Sequence, residues 1–158
     1  MMYRKALVTL VALVLVGYAG TALAQQKVRM QTAVPSASIY FELLKRYADR
    51  VDKMSNGRVK IEVLPDGAIV PAFEILDAVD KGIVEGGYAW THYWSGKHPA
   101  AGIFSNPMAG AGAGLDQLSH VAWLLEGGGN KLYERFYAEI LKVNVVALMV
   151  QPMGPDPL

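Results

Sequence analysis

The sequence contains no cysteine, so a disulfide framework is excluded, and with it any zinc or iron–sulfur site built on thiolates. It also lacks a charge excess. Fifteen Lys and Arg face 14 Asp and Glu, where a nucleic-acid binder would carry a basic surplus. Charged residues make up only 18% and hydrophobic residues 53%, too apolar a balance for a disordered tail. Metal-ligand patterns are missing as well: His92, His98 and His120 are scattered, with no carboxylate at ligand spacing from any of them. There is no G-x-S-x-G elbow and no ordered Ser/His/Asp set. Gly110, Gly112 and Gly114 do not follow a first strand, so they make no dinucleotide fingerprint.

Long apolar runs are few. The one near the N-terminus, Ala6–Val16, is broken only by Thr9 and spans about 11 residues, short of the roughly 20 that a membrane-crossing helix needs. Arg4 and Lys5 precede it, and Gly17–Ala24 ends in Ala22-Leu23-Ala24. A basic start, a short apolar middle and an A-x-A end specify a secretory signal peptide over residues 1–24, cleaved after Ala24. Removal leaves 134 residues (158 less 24) beginning at Gln25. Their 13 basic side chains (15 less Arg4 and Lys5) face 14 acidic ones, a net charge of −1. An exported chain without disulfides must draw its stability from a packed core.

The remaining chain alternates between two periods. Val28–Val34 reads as a strand ended by Pro35. Ser36 or Ser38 caps a helix in which Tyr40, Leu43, Leu44, Tyr47, Val51 and Met54 recur at helical spacing, with a Glu42–Arg46 pair on the other face. Asn56-Gly57 ends it with a left-handed cap. Arg58–Leu64 alternates strictly, which predicts a strand at a sheet edge. After the Pro65-Asp66-Gly67 turn, Pro71 opens a helix with Phe73, Leu76 and Val79 as its apolar stripe. Ile83–Trp90 is a third strand, weakened by Gly86-Gly87, and Thr91–Gly114 has little periodicity. Leu115, Leu118, Ala122 and Leu125 mark a helix broken at Gly127–Gly129. Asn130 caps the next, carried by Leu132, Tyr133, Phe136, Ile140 and Leu141. Val143–Val150 is nearly all apolar and predicts a strand buried on both faces. This order specifies an α/β layer, a mostly parallel sheet flanked by helices.

In such a sheet, ligands bind beyond the carboxyl ends of the strands. The most informative of these ends is Trp90-Thr91-His92-Tyr93-Trp94, which gathers indole, imidazole, phenol and hydroxyl groups suited to a small polar ligand in a partly dry cleft. Trp90, His92, Tyr93 and Trp94 are the candidate ligand contacts, together with Pro152 at the carboxyl end of the last expected strand. The alternative is that Trp90 and Trp94 are core and His92 a surface loop residue. No arginine falls at a strand's carboxyl end, so these residues offer hydrogen bonds and a wall but no charge anchor for a carboxylate.

The run Leu64-Pro65-Asp66-Gly67-Ala68-Ile69-Val70-Pro71-Ala72-Phe73-Glu74-Ile75-Leu76-Asp77-Ala78-Val79 resembles the solute receptors of tripartite ATP-independent periplasmic (TRAP) transporters, the DctP type. It is most like the branch that binds 2-oxo acids and related monocarboxylates. The helix with Ala48-Asp49-Arg50-Val51 and its ending Ser55-Asn56-Gly57, Gly86-Gly87-Tyr88, Tyr93-Trp94-Ser95-Gly96-Lys97, Gly127–Gly129 and Leu141–Val146 fit as well.

The resemblance implies the first lobe of a two-lobed periplasmic binding protein, incomplete here. Residues 25–150 form that lobe and residues 151–158 begin the hinge. It implies a small organic acid as ligand, TRAP membrane subunits as partners, no nucleic acid and no catalysis. Tyr93 and Trp94 carry over as ligand contacts. The carboxylate-pairing arginine, and the metal-coordinating residues that some relatives use to bridge the ligand, belong to the half not present, so no cofactor is expected from these residues. Competing readings are a secreted α/β hydrolase, for which no nucleophile and base assemble, and an ABC-type binding protein, which only the Pro65–Val79 resemblance disfavours.

Overall fold

A computed structural model describes residues 25–105 and 115–148. Expectations for Met1–Ala24, for Met108–Gly114 and for Gln151–Leu158 lie outside the described residues.

Three strands pair in the order β2-β1-β3, all parallel: β1 (Gln26–Thr32), β2 (Val59–Leu64) and β3 (Gly86–Tyr88). The first strand is therefore central, with β2 on one side from Gln26↔Val59 to Gln31↔Leu64 and β3 on the other from Met30↔Gly86 to Thr32↔Tyr88. The strict alternation of Arg58–Leu64 belongs to an edge strand, as expected. At the far end of β3, Glu85 takes both side-chain and backbone N–H groups of Arg29, and the same guanidinium reaches the Ile83 carbonyl at 2.9 Å.

Helix α1 (Ile39–Met54) connects β1 to β2 and packs on β2. The Ser38 hydroxyl caps it by accepting the Tyr40 N–H at 3.2 Å. Asn56 and Gly57 end it in the left-handed region, at φ 53° and 75°. Its buried face is narrower than the spacing predicted. Leu44 and Ala48 are buried, whereas Tyr47 and Met54 face outward.

A 3₁₀ turn (Ala72–Glu74) leads into α2 (Ile75–Asp80), which buries Ile75, Leu76 and Ala78. Phe73, expected in the apolar stripe, stands 65% exposed, because the 3₁₀ turn precedes the α-helix and breaks the register between Phe73 and Leu76. The two glycines of β3 have a packing reason. A Cβ on Gly87 would come within 2.5 Å of an Ile75 methyl, so α2 can lie on the strand only where that side chain is missing.

Over Thr91–Ser105 the chain is more regular than its composition suggests, with a 3₁₀ turn (Thr91–Trp94) and helix α3 (Ala100–Ser105). Next come α4 (Gln117–Leu125), capped by Asp116, and α5 (Gly129–Arg135), which continues as a π-helical turn (Phe136–Leu141). Gly128, at φ 83°, takes the cap position expected of Asn130. In α4 the buried side carries Leu124, not the Leu115–Leu118–Leu125 stripe, and Leu118 is 81% exposed. Trp123 sets that rotation: it stacks near Phe104 and His120, and the close turn at Gly127 and Gly129 folds against it.

Val143–Leu148 forms no strand among the described residues. It runs irregularly after Lys142, with Val143, Val145 and Ala147 against a core of Leu76, Trp94, Ala101, Phe136 and Tyr137, while Val146 and Leu148 stand 83% and 72% exposed. An all-apolar run reads as buried on both faces, but here only its odd-numbered side chains find a core to meet.

Candidate functional site

The three strand ends are tied to one another. The Thr32 hydroxyl lies within hydrogen-bond distance of the carbonyls of Val34 (2.9 Å) and Leu64 (3.1 Å), and its one proton can go to either. The Ala33 N–H meets the Tyr88 carbonyl, and the Asp66 N–H meets the Val34 carbonyl, both at 2.9 Å. Gln31, fully buried, fixes the loop after β2: its side-chain oxygen accepts the N–H groups of Ile69 (3.0 Å) and Val70 (3.1 Å), and its amide donates to the Val70 carbonyl. A buried amide with its groups matched in this way holds a loop as firmly as a strand would.

On this platform aromatic side chains from all three connections converge. Tyr40, from the first turn of α1, meets Trp90 edge-on with ring centres 5.9 Å apart. Phe73, after β2, lies 4.6 Å from Tyr93. Trp90, His92 and Tyr93, after β3, contact one another at 4.8–6.5 Å. Burial, aided by the Asp66 carboxylate, holds the Tyr93 phenol above its ordinary pKa, so it remains a neutral hydrogen-bonding group at physiological pH.

Of the residues expected at the site, Trp90, His92 and Tyr93 do stand at the carboxyl face. Trp94 does not stand with them. It is 6% exposed, lies in the core, and its indole N–H donates to the Tyr137 hydroxyl at 3.1 Å. Pro152 lies outside the described residues. Tyr40 and Phe73 were missed, because helical spacing assigned both to core stripes. The signal that could have found them is their place, each shortly after a strand's carboxyl end.

The charge that bears on the wall is negative, the Asp66 carboxylate acting on Tyr93. Arg29 is paired with Glu85, Arg46 with Glu42 and Arg135 with Glu139, and the Arg58 guanidinium donates to the Ser55 carbonyl. Lys97 is paired with Asp77 at 2.8 Å. Among the described residues no three His, Asp or Glu side chains gather where they could hold a metal ion. The donor set of these residues thus does not, by itself, fit a metal site. None of the described helices is long and apolar enough to cross a membrane. What the arrangement can do is present flat apolar faces and a few hydrogen-bonding groups to a small molecule.

Residues 30–151 match the DctP family, described as bacterial extracellular solute-binding protein, family 7. A monocarboxylate 2-oxoacid-binding periplasmic protein of Nostoc sp. is 35% identical over 119 residues, which are 75% of this chain and 32% of that one. Among solved structures, a TRAP transporter solute binding protein from Bordetella bronchiseptica, with calcium and picolinate in its active site, superposes with a TM-score of 0.68 at 29% identity. That match covers 78% of this chain and 35% of the other. A TRAP periplasmic solute binding protein from Colwellia psychrerythraea, with bound calcium and pyruvate, gives 0.65 at 26% identity over 73% and 34% of the two chains. The chain thus spans about a third of the length of these relatives. The parallel α/β layer, the aromatic wall at its carboxyl face and the family match over 30–151 lead to one conclusion: the chain belongs to the DctP family of bacterial extracellular solute-binding proteins.

Proposed function

We propose that this chain supplies one wall of the solute cleft of a TRAP receptor that captures a small organic acid, a 2-oxo or hydroxy monocarboxylate, and delivers it to TRAP membrane subunits without catalysis. The observation that carries this reading is the convergence of Tyr40, Phe73, Trp90 and Tyr93 from three strand connections onto the carboxyl face of one parallel sheet. The pyruvate bound in the Colwellia protein and the name of the Nostoc relative supply the ligand class. In this reading residues 1–24 are a signal peptide removed in the periplasm, residues 25–150 are the first lobe and residues 151–158 enter the hinge. Trp90, His92 and Tyr93 touch the solute, and Trp94 supports them from behind. With Arg29, Arg46, Arg58 and Arg135 engaged among the described residues, a carboxylate-anchoring arginine and any bridging metal ion would come from another part of the receptor.

The test is a titration of the exported chain with pyruvate and longer 2-oxo acids, read by aromatic NMR shifts, beside a turnover assay with generic esters. Shifts confined to Tyr40, Phe73, Trp90, His92 and Tyr93, with a Kd of about 1 mM or weaker (roughly 4 kcal/mol), are expected from a one-walled site. Ester turnover, or shifts elsewhere only, would sink the reading. Micromolar binding would show that this lobe holds a charge anchor of its own. N-terminal sequencing of the exported product tests cleavage after Ala24. Neighbouring genes for TRAP membrane subunits, rather than for an ATPase, separate this reading from an ABC-type receptor.

A further inference from the structure

In a 3₁₀ turn, side chains three residues apart lie on one side. In the turn that follows β3, Thr91 and Trp94 are that pair, and both point inward, 4% and 6% exposed. Each carries a polar atom into the core, and each atom is met by a tyrosine. The Tyr133 hydroxyl lies 2.6 Å from Thr91 Oγ1. The Tyr137 hydroxyl accepts the Trp94 indole N–H at 3.1 Å and donates to Thr91 Oγ1 at 3.4 Å. The two tyrosine hydroxyls are themselves 3.1 Å apart. Four polar groups from two distant stretches thus satisfy one another among aromatic rings, where an unpaired one would be costly.

A network of this kind does what packing alone does not. Apolar rings would hold the turn in place yet accept small rotations about its axis, because apolar contact has no direction. The hydroxyl network is complete at one rotation only. With Thr91 and Trp94 locked inward, His92 between them is left exposed, and Trp90 and Tyr93, each partly buried, are held at the rim of that core, with Tyr93 packed against its edge.

We propose that Tyr133 and Tyr137 are positioning residues of the solute wall: their paired hydroxyls lock the inward face of the Thr91–Trp94 turn and so set the angle at which Trp90, His92 and Tyr93 meet a ligand. This rests on the solute-binding reading for its meaning, but not for its test.

The test uses the exported protein with labelled Trp and Tyr, and needs no ligand. In Tyr137→Phe, hydrogen exchange at the Trp94 indole should rise about tenfold, the loss of one hydrogen bond of ordinary net strength. In the Tyr133→Phe/Tyr137→Phe double variant, the Trp90 indole signal should shift and the Tyr93–Phe73 ring cross-peak weaken, while Trp123 stays put. Thr91→Val should reproduce the double variant. Thr91→Ser, which keeps the hydroxyl, should look like the parent, a rescue that a purely space-filling role would not give. If the double variant does not fold, the Thr91→Val and Thr91→Ser comparison carries the same decision. Unchanged Trp90 and Tyr93–Phe73 signals in Thr91→Val would overturn the inference. A separate pyruvate titration of the parent protein judges the solute-binding reading, so either idea can fail while the other stands.

Discussion

Phe73 can separate recognition from folding. Its ring stands 65% exposed yet touches Tyr93 at 4.6 Å. Phe73→Ala removes little buried surface, so stability should fall by less than about 1 kcal/mol. If the wall is where solute sits, affinity for a 2-oxo acid should drop several-fold in the same variant. Thermal melting and NMR titration on one sample report the two quantities, and an unchanged affinity would remove Phe73 from the site. At the opposite end of the sheet, Glu85 marks a purely structural pair. Hydrogen bonds from the Arg29 side chain and backbone bring its pKa from 4.5 down to about 2. A carboxylate lowered on folding contributes stability that is fully present above its unfolded value and is lost as pH falls through the folded one. The contribution of Glu85 should therefore hold above about pH 4.5 and fade toward pH 2. In Glu85→Gln that acid-side step should shrink, as melting curves from pH 5 to pH 2 would reveal. Both groups are exposed, so the effect is modest and weaker still in salt.

Single elements show where sequence reasoning works and where it stops. The β1, α1 and β2 reading held because each carries a local signature: a Ser38 cap, an Asn56-Gly57 stop, a strict alternation. Strand β3 was legible only faintly, since Gly86-Gly87 weakens any strand pattern. Gly87 answers to Ile75 of α2, twelve residues earlier but in contact in space, and Gly86 to Met30 of β1, and no strand-length window contains either fact. Gly87→Ala should accordingly cost about 1–3 kcal/mol, because Ile75 and Val79 must give way to the new methyl. A denaturant midpoint equal to the parent's would mean that α2 can move off β3. The α4 stripe and the Val143–Val150 strand failed for a related reason: apolar spacing says which side chains could be buried, and tertiary partners decide which are. The candidate site was legible in part. A strand end rich in ring and hydroxyl groups pointed to Trp90, His92 and Tyr93. Trp94 turns inward because a tyrosine 43 residues away accepts its N–H, which the five-residue motif could not disclose.

The molecule as a whole exposes more apolar side chain than its wall needs. Leu118, Val146 and Leu148 are each more than two-thirds exposed. Such surface in water should bind an environment-sensitive dye and drive concentration-dependent association. Light scattering and dye fluorescence on the exported chain from micromolar to submillimolar concentration test this. A monodisperse, dye-silent protein would mean that these side chains are covered in solution.

The central place of β1 has a consequence in time. Its ladder to β2 closes over 33 residues of chain (Gln26 to Val59) and its ladder to β3 over 56 (Met30 to Gly86). No hairpin in this sheet can form early and seed the rest, and long closures are slow to pay back their entropy. A chain emerging from its N-terminus would deliver β1 first, leave it without neighbours until Leu64 had emerged, and leave its other edge open until Tyr88 followed. The sheet thus stays open as the chain emerges and zips late, in two steps. On stalled chains of increasing length, amide protection of Val28–Thr32 should begin once Leu64 is free and become complete only once Tyr88 is, and protection in chains ending before Val59 would show that β1 finds some other partner first.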